Sequence, residues 1–372
     1  MPKYNNKQWK IYIIAGEPSG DAIGASVLRE LNKEHGVTIT GVGGYQMAKE
    51  GLKSLFDIKK IAVGGIFEII PHILRIIKLI KLTACDIVRH SPDVILTIDS
   101  PGFCFRVIKK IQKLRPQTKT IHLVAPSVWA WRPKRAKKLS KLYDELLTLF
   151  DFEPQYFQKY GLKTECVGHP LAEEIVGEIT DSKDDVFLLI PGSRAQEIKT
   201  LLPIFLKFSD YYNSDESKPR RCIIPTLPHL IPLISKMIGI RNIEIVSEDA
   251  QKNELYHRAS LAIAASGTAT LQLALSGCPM IVCYKLNNFT YNIIKKVVKI
   301  KYISLVNIIL DKEVVPELIQ HACNVEMIHQ AEKAIDIANQ RYNFKILREK
   351  MKIEKKSPVS NIIKKIINLI IE

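Results

Sequence analysis

The sequence contains no C-x-x-C pair and no H-x-x-x-H spacing, so it offers no recognisable zinc or dithiol motif. It has no uninterrupted apolar run long enough to cross a bilayer. Residues 1–10 are polar and carry three lysines, with no apolar signal core before the first predicted strand, so no export signal is expected. Acidic charge is short: 38 Asp and Glu stand against 54 Lys and Arg, a formal charge of +16. That balance favours an anionic partner, whether nucleic acid, acidic phospholipid or a phosphorylated small molecule. Part of the excess also follows from a composition rich in Lys, Ile and Asn. The seven cysteines (Cys85, Cys104, Cys166, Cys222, Cys278, Cys283 and Cys323) are odd in number and scattered. They suit reduced, buried thiols in a cytosolic protein.

What is present is two beginnings of the same pattern. The 372 residues suit two domains of middling size. Residues 11–15 form an apolar run that ends in Gly16-Glu17-Pro18-Ser19-Gly20-Asp21, and an amphipathic helix follows over 22–31. Further strands are expected at 38–42, 93–98 and 120–124, with helices between them. The pattern restarts at 186–190, closed by Pro191-Gly192-Ser193-Arg194 and a helix over 197–208. Strands at 221–224, 243–246, 261–264 and 280–284 complete it. The expected fold is therefore α/β, with two Rossmann-like doubly wound parallel-sheet domains facing across a cleft. The expected domains are 1–180, rejoined by the C-terminal helix 345–372, and 181–344, with the polar stretch 180–185 as linker. Ligands of such sheets sit beyond the strand C-termini.

Several loops there carry candidate chemistry. In Ala264-Ala265-Ser266-Gly267-Thr268-Ala269-Thr270-Leu271-Gln272 a buried strand ends, small residues turn the chain and a helix begins. Small side chains and a helix N-terminus make an anion cradle. An ordinary N-cap by Ser266 or Thr268 is the other reading. Gly192, Ser193 and Arg194 form a second such turn, whose guanidinium suits phosphate or simply solvent. Asp99 ends the apolar run 93–98. Partial burial there would make it a usable base, and a turn cap before Ser100-Pro101-Gly102 is the alternative. Glu17, Ser19, Gly20 and Asp21 make the first loop polar and narrow, but it lacks G-x-G-x-x-G and the P-loop lysine.

Two segments suit an interface. Residues 66–82 hold eleven large apolar residues interrupted by Pro71, Arg75, Lys78 and Lys81. They read as an interfacial membrane helix or as a buried crossover helix. Residues 127–135 place Trp129 and Trp131 beside Arg132, Lys134 and Arg135, with Ser127 at the turn. That mixture suits an anionic head group, single-stranded nucleic acid or plain core packing. His122 and His169 fall near strand ends and read as structural.

Seven motifs in order then resemble one family. They are Ala15-Gly16-Glu17-Pro18-Ser19-Gly20-Asp21, Thr97-Ile98-Asp99-Ser100-Pro101 and Pro126-Ser127-Val128-Trp129-Ala130-Trp131-Arg132. Gly168-His169-Pro170, Pro191-Gly192-Ser193-Arg194, Ala265-Ser266-Gly267-Thr268-Ala269 and Tyr302-Ile303-Ser304-Leu305-Val306-Asn307 complete the series. Together they resemble lipid-A-disaccharide synthases. The resemblance implies an inverting transfer of 2,3-diacylglucosamine from its UDP derivative to 2,3-diacylglucosamine 1-phosphate, with UDP held mainly by the second domain. It implies Asp99 as the proposed base, and Arg194 and Asn307 as residues needed for donor binding or turnover. Gly192, Ser193, Ser266, Gly267, Thr268, Ala269 and Gln272 join the expected donor site. Glu17, Ser19, Gly20, Asp21, Ser127 and Trp129 are expected on the acceptor side. Gly102, Cys104 and Gln272 stand where the family more often has Asp, Asn and Glu.

No cofactor is expected, and with no D-x-D in the chain, no metal. The implied partners are the UDP-sugar donor, an acylated sugar-phosphate acceptor and an anionic membrane surface. No nucleic acid is expected, and a homo-oligomer is compatible with the sequence. The implied location is cytoplasmic, on the inner face of the cytoplasmic membrane of a Gram-negative type cell. Another UDP-sugar transferase or an epimerase of the same fold is the rival enzyme. A basic nucleic-acid binder is the rival from another class, and it leaves the two phosphate-type loops unexplained.

Overall fold

Strand β1, Trp9–Ala15, is apolar at nearly every position, and the computed structural model uses both of its faces. Tyr12 and Ile14 enter one core with Ile95, Phe103 and Val107. Ile11, Ile13 and Ala15 enter another with Leu28, Leu96 and Ile366. Burial on both faces is what a parallel sheet covered by helices requires. Its one deep polar tie is satisfied: the Tyr12 hydroxyl donates to Asp86 Oδ2 at 2.8 Å.

The structure describes residues 8–61, 73–175, 179, 184–212, 221–287, 291–292, 295, 300–351 and 357–371. The chain divides into 1–170 with 352–372, and 171–351. The first unit holds β1, β2 (Val37–Val42), β3 (Val94–Ile98), β4 (Lys119–Leu123), β5 (Glu145–Thr148) and β6 (Lys163–Cys166). Their order is β2-β1-β3-β4-β5-β6, with parallel pairing throughout. The second unit holds β7 (Asp184–Ile190), β8 (Arg221–Pro225), β9 (Ile243–Val246), β10 (Ala259–Ala265), β11 (Met280–Tyr284) and β12 (Glu317–Ile319). Its parallel order is β12-β11-β10-β7-β8-β9. The two Rossmann-like sheets expected from the sequence are both present.

Each sheet reverses its winding once, between β1 and β3 and between β7 and β10. At such a switch point successive connections leave to opposite faces and open a crevice past the strand ends. The loops after β1 and β3, and those after β7 and β10, are the four singled out from sequence.

Helix Ile337–Met351 buries Phe344, Leu347 and Met351 within the second unit, so the chain returns to the first unit after 351 rather than at the expected 345. The first division likewise falls before the expected 180. Gly277 closes against Ile179, where a Cβ would lie 2.6 Å from Ile179 Cγ2, which ties that stretch to the second unit. Helix Pro358–Ile371 then packs on helix Pro18–Leu31 through Val359, Ile362 and Ile366.

Of the segment 66–82, residues 66–72 lie outside the described residues. The rest opens helix Ile73–His90, and the helix is two-sided. Leu79, Ile80, Ala84 and Ile87 enter the core, while Ile73, Leu74, Ile77, Leu82 and Val88 are exposed.

Candidate functional site

Asp99 follows β3 in a left-handed conformation, φ 53°, and Ser100 repeats it at 47°. Each such residue costs roughly 1–2 kcal/mol when it is not glycine, though aspartate tolerates it better than most. The turn is held from several sides. The Asp99 N–H donates to Leu123 O at 2.9 Å. Its Oδ1 accepts the Ser100 N–H at 2.7 Å, and its Oδ2 accepts the Ser19 hydroxyl at 3.0 Å. Two glycines of the first loop permit this approach. A Cβ at Gly20 would lie 3.1 Å from Ile98 O and 3.3 Å from Asp99 Cβ, and one at Gly16 would lie 2.5 Å from Ser100 Oγ. The structure thus brings together Asp99, Ser19 and Gly20, which the sequence placed 80 residues apart. Glu17 stands as the cap position of helix Pro18–Leu31.

Asp21 belongs elsewhere. It is buried, and its carboxylate accepts the N–H groups of Gly44, Gln46 and Met47 at 2.6, 2.9 and 3.2 Å. It caps helix Tyr45–Lys49 and pins the loop after β2, so its lone pairs are spent on the fold. Cys104 is buried beside the turn. Burial first, and then the charges of Asp99 and Glu17, push its thiol well above the usual range and keep it neutral.

The loops after β4, β5 and β6 meet around Trp129. Its ring lies edge-on to Phe152 at 5.6 Å, Phe152 stacks on Phe150 at 5.9 Å, and Phe150 meets His169 at 6.0 Å. Buried Glu153 accepts the N–H groups of Leu149 and Phe150, both at 3.2 Å. Burial pushes its carboxyl up to about 7. The Trp129 indole lies beside this carboxyl without closing a hydrogen bond. Ser127 is exposed, and its carbonyl accepts from Ala130 and Trp131. Burial lowers His169 to about 4 and His122 to about 3, so both are neutral structural groups.

In the second unit Gly192 has φ 114°, and a Cβ there would lie 2.3 Å from Glu197 Oε2. Glu197 was not singled out from sequence, yet it organises this turn. Its Oε2 accepts the N–H groups of Ser193 and Arg194 at 3.1 and 3.3 Å, and its Oε1 accepts Arg194 Nη1 at 3.0 Å. An internal carboxylate thus occupies a nest of N–H groups that suits a phosphate. Arg194 is half-exposed in this pair.

After β10, helix Thr268–Leu275 begins with no side-chain cap. Ser266 donates its hydroxyl to Ile303 O at 2.9 Å instead, and Thr270 turns back to Gly267 O at 2.7 Å. A Cβ on Gly267 would meet nothing within 4 Å. The helix end therefore opens on space at Gly267, and no side chain caps its first N–H groups, as an anion site requires. Thr268 and Ala269 are half-exposed in its first turn. Gln272 lies one turn further on, half-exposed, with no protein partner for its carboxamide among the described residues.

Asn307 does not open toward ligand. Its Oδ1 accepts from Val314 and Val315 at 2.8 and 3.0 Å, and its Nδ2 donates to Val315 O and Glu317 Oε1 at 2.9 and 2.8 Å. All four hydrogen-bonding positions are filled. Glu317, also missed in the sequence, accepts from Ile303 at 2.9 Å and Ser304 at 2.8 Å. The two residues hold the carbonyl that receives Ser266. Gln320 makes a parallel clasp, pairing both the N–H and the C=O of Leu286.

A family model described as lipid-A-disaccharide synthetase matches residues 11–371. The chain is 42% identical over 331 residues to a lipid-A-disaccharide synthase of Rickettsia bellii, covering 86% of each chain. It is 39% identical over 364 residues to one of Rickettsia prowazekii, covering 95% of each. Among solved structures it is similar to the S. aureus MnaA–UDP co-structure, with a TM-score of 0.64 at 15% identity over 98% of both chains. That last likeness is one of fold.

Proposed function

The chain belongs to the lipid-A-disaccharide synthetase family and is a glycosyltransferase, and on that premise we propose how its residues divide the reaction. The donor is UDP-2,3-diacylglucosamine and the acceptor 2,3-diacylglucosamine 1-phosphate. The products are the β-1,6-linked disaccharide 1-phosphate and UDP. The observation that carries the residue assignment is the Asp99 carboxylate, held at the end of β3 by Ser19 and by its own turn.

An inverting displacement needs a base on the attacking hydroxyl. Asp99 takes the proton of the acceptor 6-hydroxyl as that oxygen bonds to the donor's anomeric carbon. The bond to the UDP oxygen breaks, and the diphosphate leaves with the electron pair. The second unit stabilises that charge. The uncovered N–H groups of helix Thr268–Leu275 take one phosphate, and Arg194 with the Ser193–Arg194 N–H nest takes the other. For this the phosphate displaces Glu197 from the nest. Gln272 reaches the ribose. Asn307 and Glu317 act through the loop they hold.

Diacylated substrates reside in a membrane, so we assign the exposed apolar face of helix Ile73–His90 to an anionic bilayer surface. Arg75, Lys78, Lys81 and Arg89 on the same helix supply the charge for phospholipid headgroups. No helix among the described residues is long and apolar enough to cross a membrane, which suits peripheral attachment at the inner face.

The direct test is incubation with UDP-2,3-diacylglucosamine and the acceptor, with mass analysis for the disaccharide phosphate. Product should form with EDTA present, because the leaving charge is assigned to protein groups. Free 2,3-diacylglucosamine or an epimerised UDP-sugar as the only product would sink this reading.

A further inference from the structure

Two guanidinium groups of the first unit gather on one indole ring, and a third bears on them through its charge. Arg132 lies in the left-handed region at φ 53°, a conformation that turns its side chain back over the Trp131 ring, 3.9 Å from the centroid. Arg135, from helix Lys134–Leu139, lies 5.6 Å from the same ring and is half-buried. Arg106 comes from a different element, helix Pro101–Leu114, and its Nη1 folds back to donate to Gly102 O. Burial, and then the charges of Arg132 and Arg106, hold the Arg135 guanidinium below its usual range. None of the three has an ion-pair partner among the described residues.

Like charges gathered at short range repel, and a fold normally threads carboxylates between them. Here the pattern is the reverse. Two of the forks lie against one indole, and a backbone carbonyl holds the third. Planar forks with no ion-pair partner among the described residues match the oxygens of a phosphate monoester, which brings up to two negative charges. The place also fits the chemistry already assigned. Gly102, to which Arg106 folds back, lies three residues beyond Asp99, in the first turn of the helix that the Asp99 turn starts. A single sugar ring carries the acceptor's phosphate on one end and its reacting hydroxyl on the other.

We propose that Arg106, Arg132 and Arg135, organised by Trp131, form a phosphate-monoester site whose occupant is the anomeric phosphate of the acceptor. The inference rests on the transferase reading above. It gives the first unit a charge-based means of choosing its acceptor and of orienting the attacking hydroxyl toward Asp99.

The test compares wild type, Arg135→Gln and the exposed-site variant Arg106→Gln in detergent, with phosphorylated and dephosphorylated acceptor. Losing one charge-assisted contact should raise the acceptor KM about 10- to 100-fold. The wild-type preference for the phosphorylated acceptor should shrink by the same factor. Donor KM and UDP affinity should stay unchanged. Calorimetry with glucosamine 1-phosphate reads the site without turnover: wild type should bind it and both variants should bind it more weakly. This arm stands even if the wild type transfers no sugar, so failure of the transferase reading and failure of the site are distinguishable. Equal glucosamine 1-phosphate binding by all three proteins overturns the proposal, as does a wild type indifferent to the acceptor's phosphate. A third result also overturns it, namely loss of binding to phosphatidylglycerol vesicles with unchanged acceptor KM. The cluster would then read membrane headgroups. If Arg135→Gln melts early, the Arg106→Gln comparison decides.

Discussion

As the proposed base, Asp99 has to combine a left-handed backbone with a carboxylate that can take a proton. Asparagine tolerates the same backbone and keeps the side-chain shape, so Asp99→Asn removes the proton acceptor with little else. Turnover should fall by about 10²–10⁴-fold, the usual scale of general-base catalysis. UDP affinity should be unchanged, and the acidic limb of the activity–pH profile should vanish. An Asn variant with near-normal turnover would make Asp99 a turn cap. Arg194 should behave oppositely, because its proposed contact is with the leaving group. Arg194→Ala should weaken UDP binding by ~1.5–3 kcal/mol as well as slow turnover. Calorimetry showing wild-type UDP affinity in that variant would remove Arg194 from the site. At this scale the sequence was legible in placement, as with Asp99 at a strand end and Gly20 packed against it. It misled where a polar side chain could serve either ligand or fold. Asp21 and Asn307 sit in the motifs that carry the family resemblance, yet the structure spends Asp21 on backbone N–H groups more than twenty residues on and Asn307 on Val314, Val315 and Glu317.

Short elements decide the shape of the site, and they were the hardest to read. Strands β5, β6 and β12 are four, four and three residues long, and β6 has the polar sequence Lys163-Thr164-Glu165-Cys166. None has length or alternation enough to show as a strand. Yet β12 carries Glu317. Glu317→Gln would set an amide N–H₂ against donors on Ile303, Ser304 or Asn307, and an unpaired buried donor costs ~1–3 kcal/mol. UDP affinity should fall with it, while the protein stays folded. A lowered melting temperature with unchanged UDP affinity would reduce Glu317 to packing alone. The loop after β5 offers a pH test through Glu153, whose carboxyl burial pushes up to about 7 from an ordinary 4.5. Between those values the folded protein keeps a proton that the unfolded chain has released. This contribution therefore lowers stability as pH rises through that window and is constant above it. At about 1.4 kcal/mol per pKa unit the whole effect is on the order of 3 kcal/mol. In Glu153→Gln the amide oxygen still accepts from Leu149 and Phe150. Its melting temperature should match wild type near pH 5 and exceed it near pH 8; parallel curves would refute the assignment.

For the whole molecule, the question is how a protein without a spanning helix among its described residues meets acylated substrates. The proposed answer is helix Ile73–His90, which has one face in the core and one outside. Replacing Ile73, Leu74 and Ile77 by serine should weaken binding to anionic liposomes and leave the melting temperature near wild type, since all three are exposed. Leu79→Ser on the buried face should instead destabilise the protein, because it removes a core side chain and buries a hydroxyl. Full liposome binding by the triple variant would send the search for the membrane surface elsewhere.

By itself the sequence determined the two parallel sheets, their restart, the four loops at the switch points and the family. Apolar runs buried on both faces and small-residue turns are local signals, readable without any partner. Only the tertiary structure decided which polar side chains the fold itself uses. It turned Ser266 away from its own helix, filled the Arg194 turn with Glu197, closed Asn307 upon Glu317 and brought two arginines onto Trp131. A polar group's role depends on what satisfies its hydrogen bonds and charge, and those partners come from elements dozens of residues away as often as from the next turn of the chain.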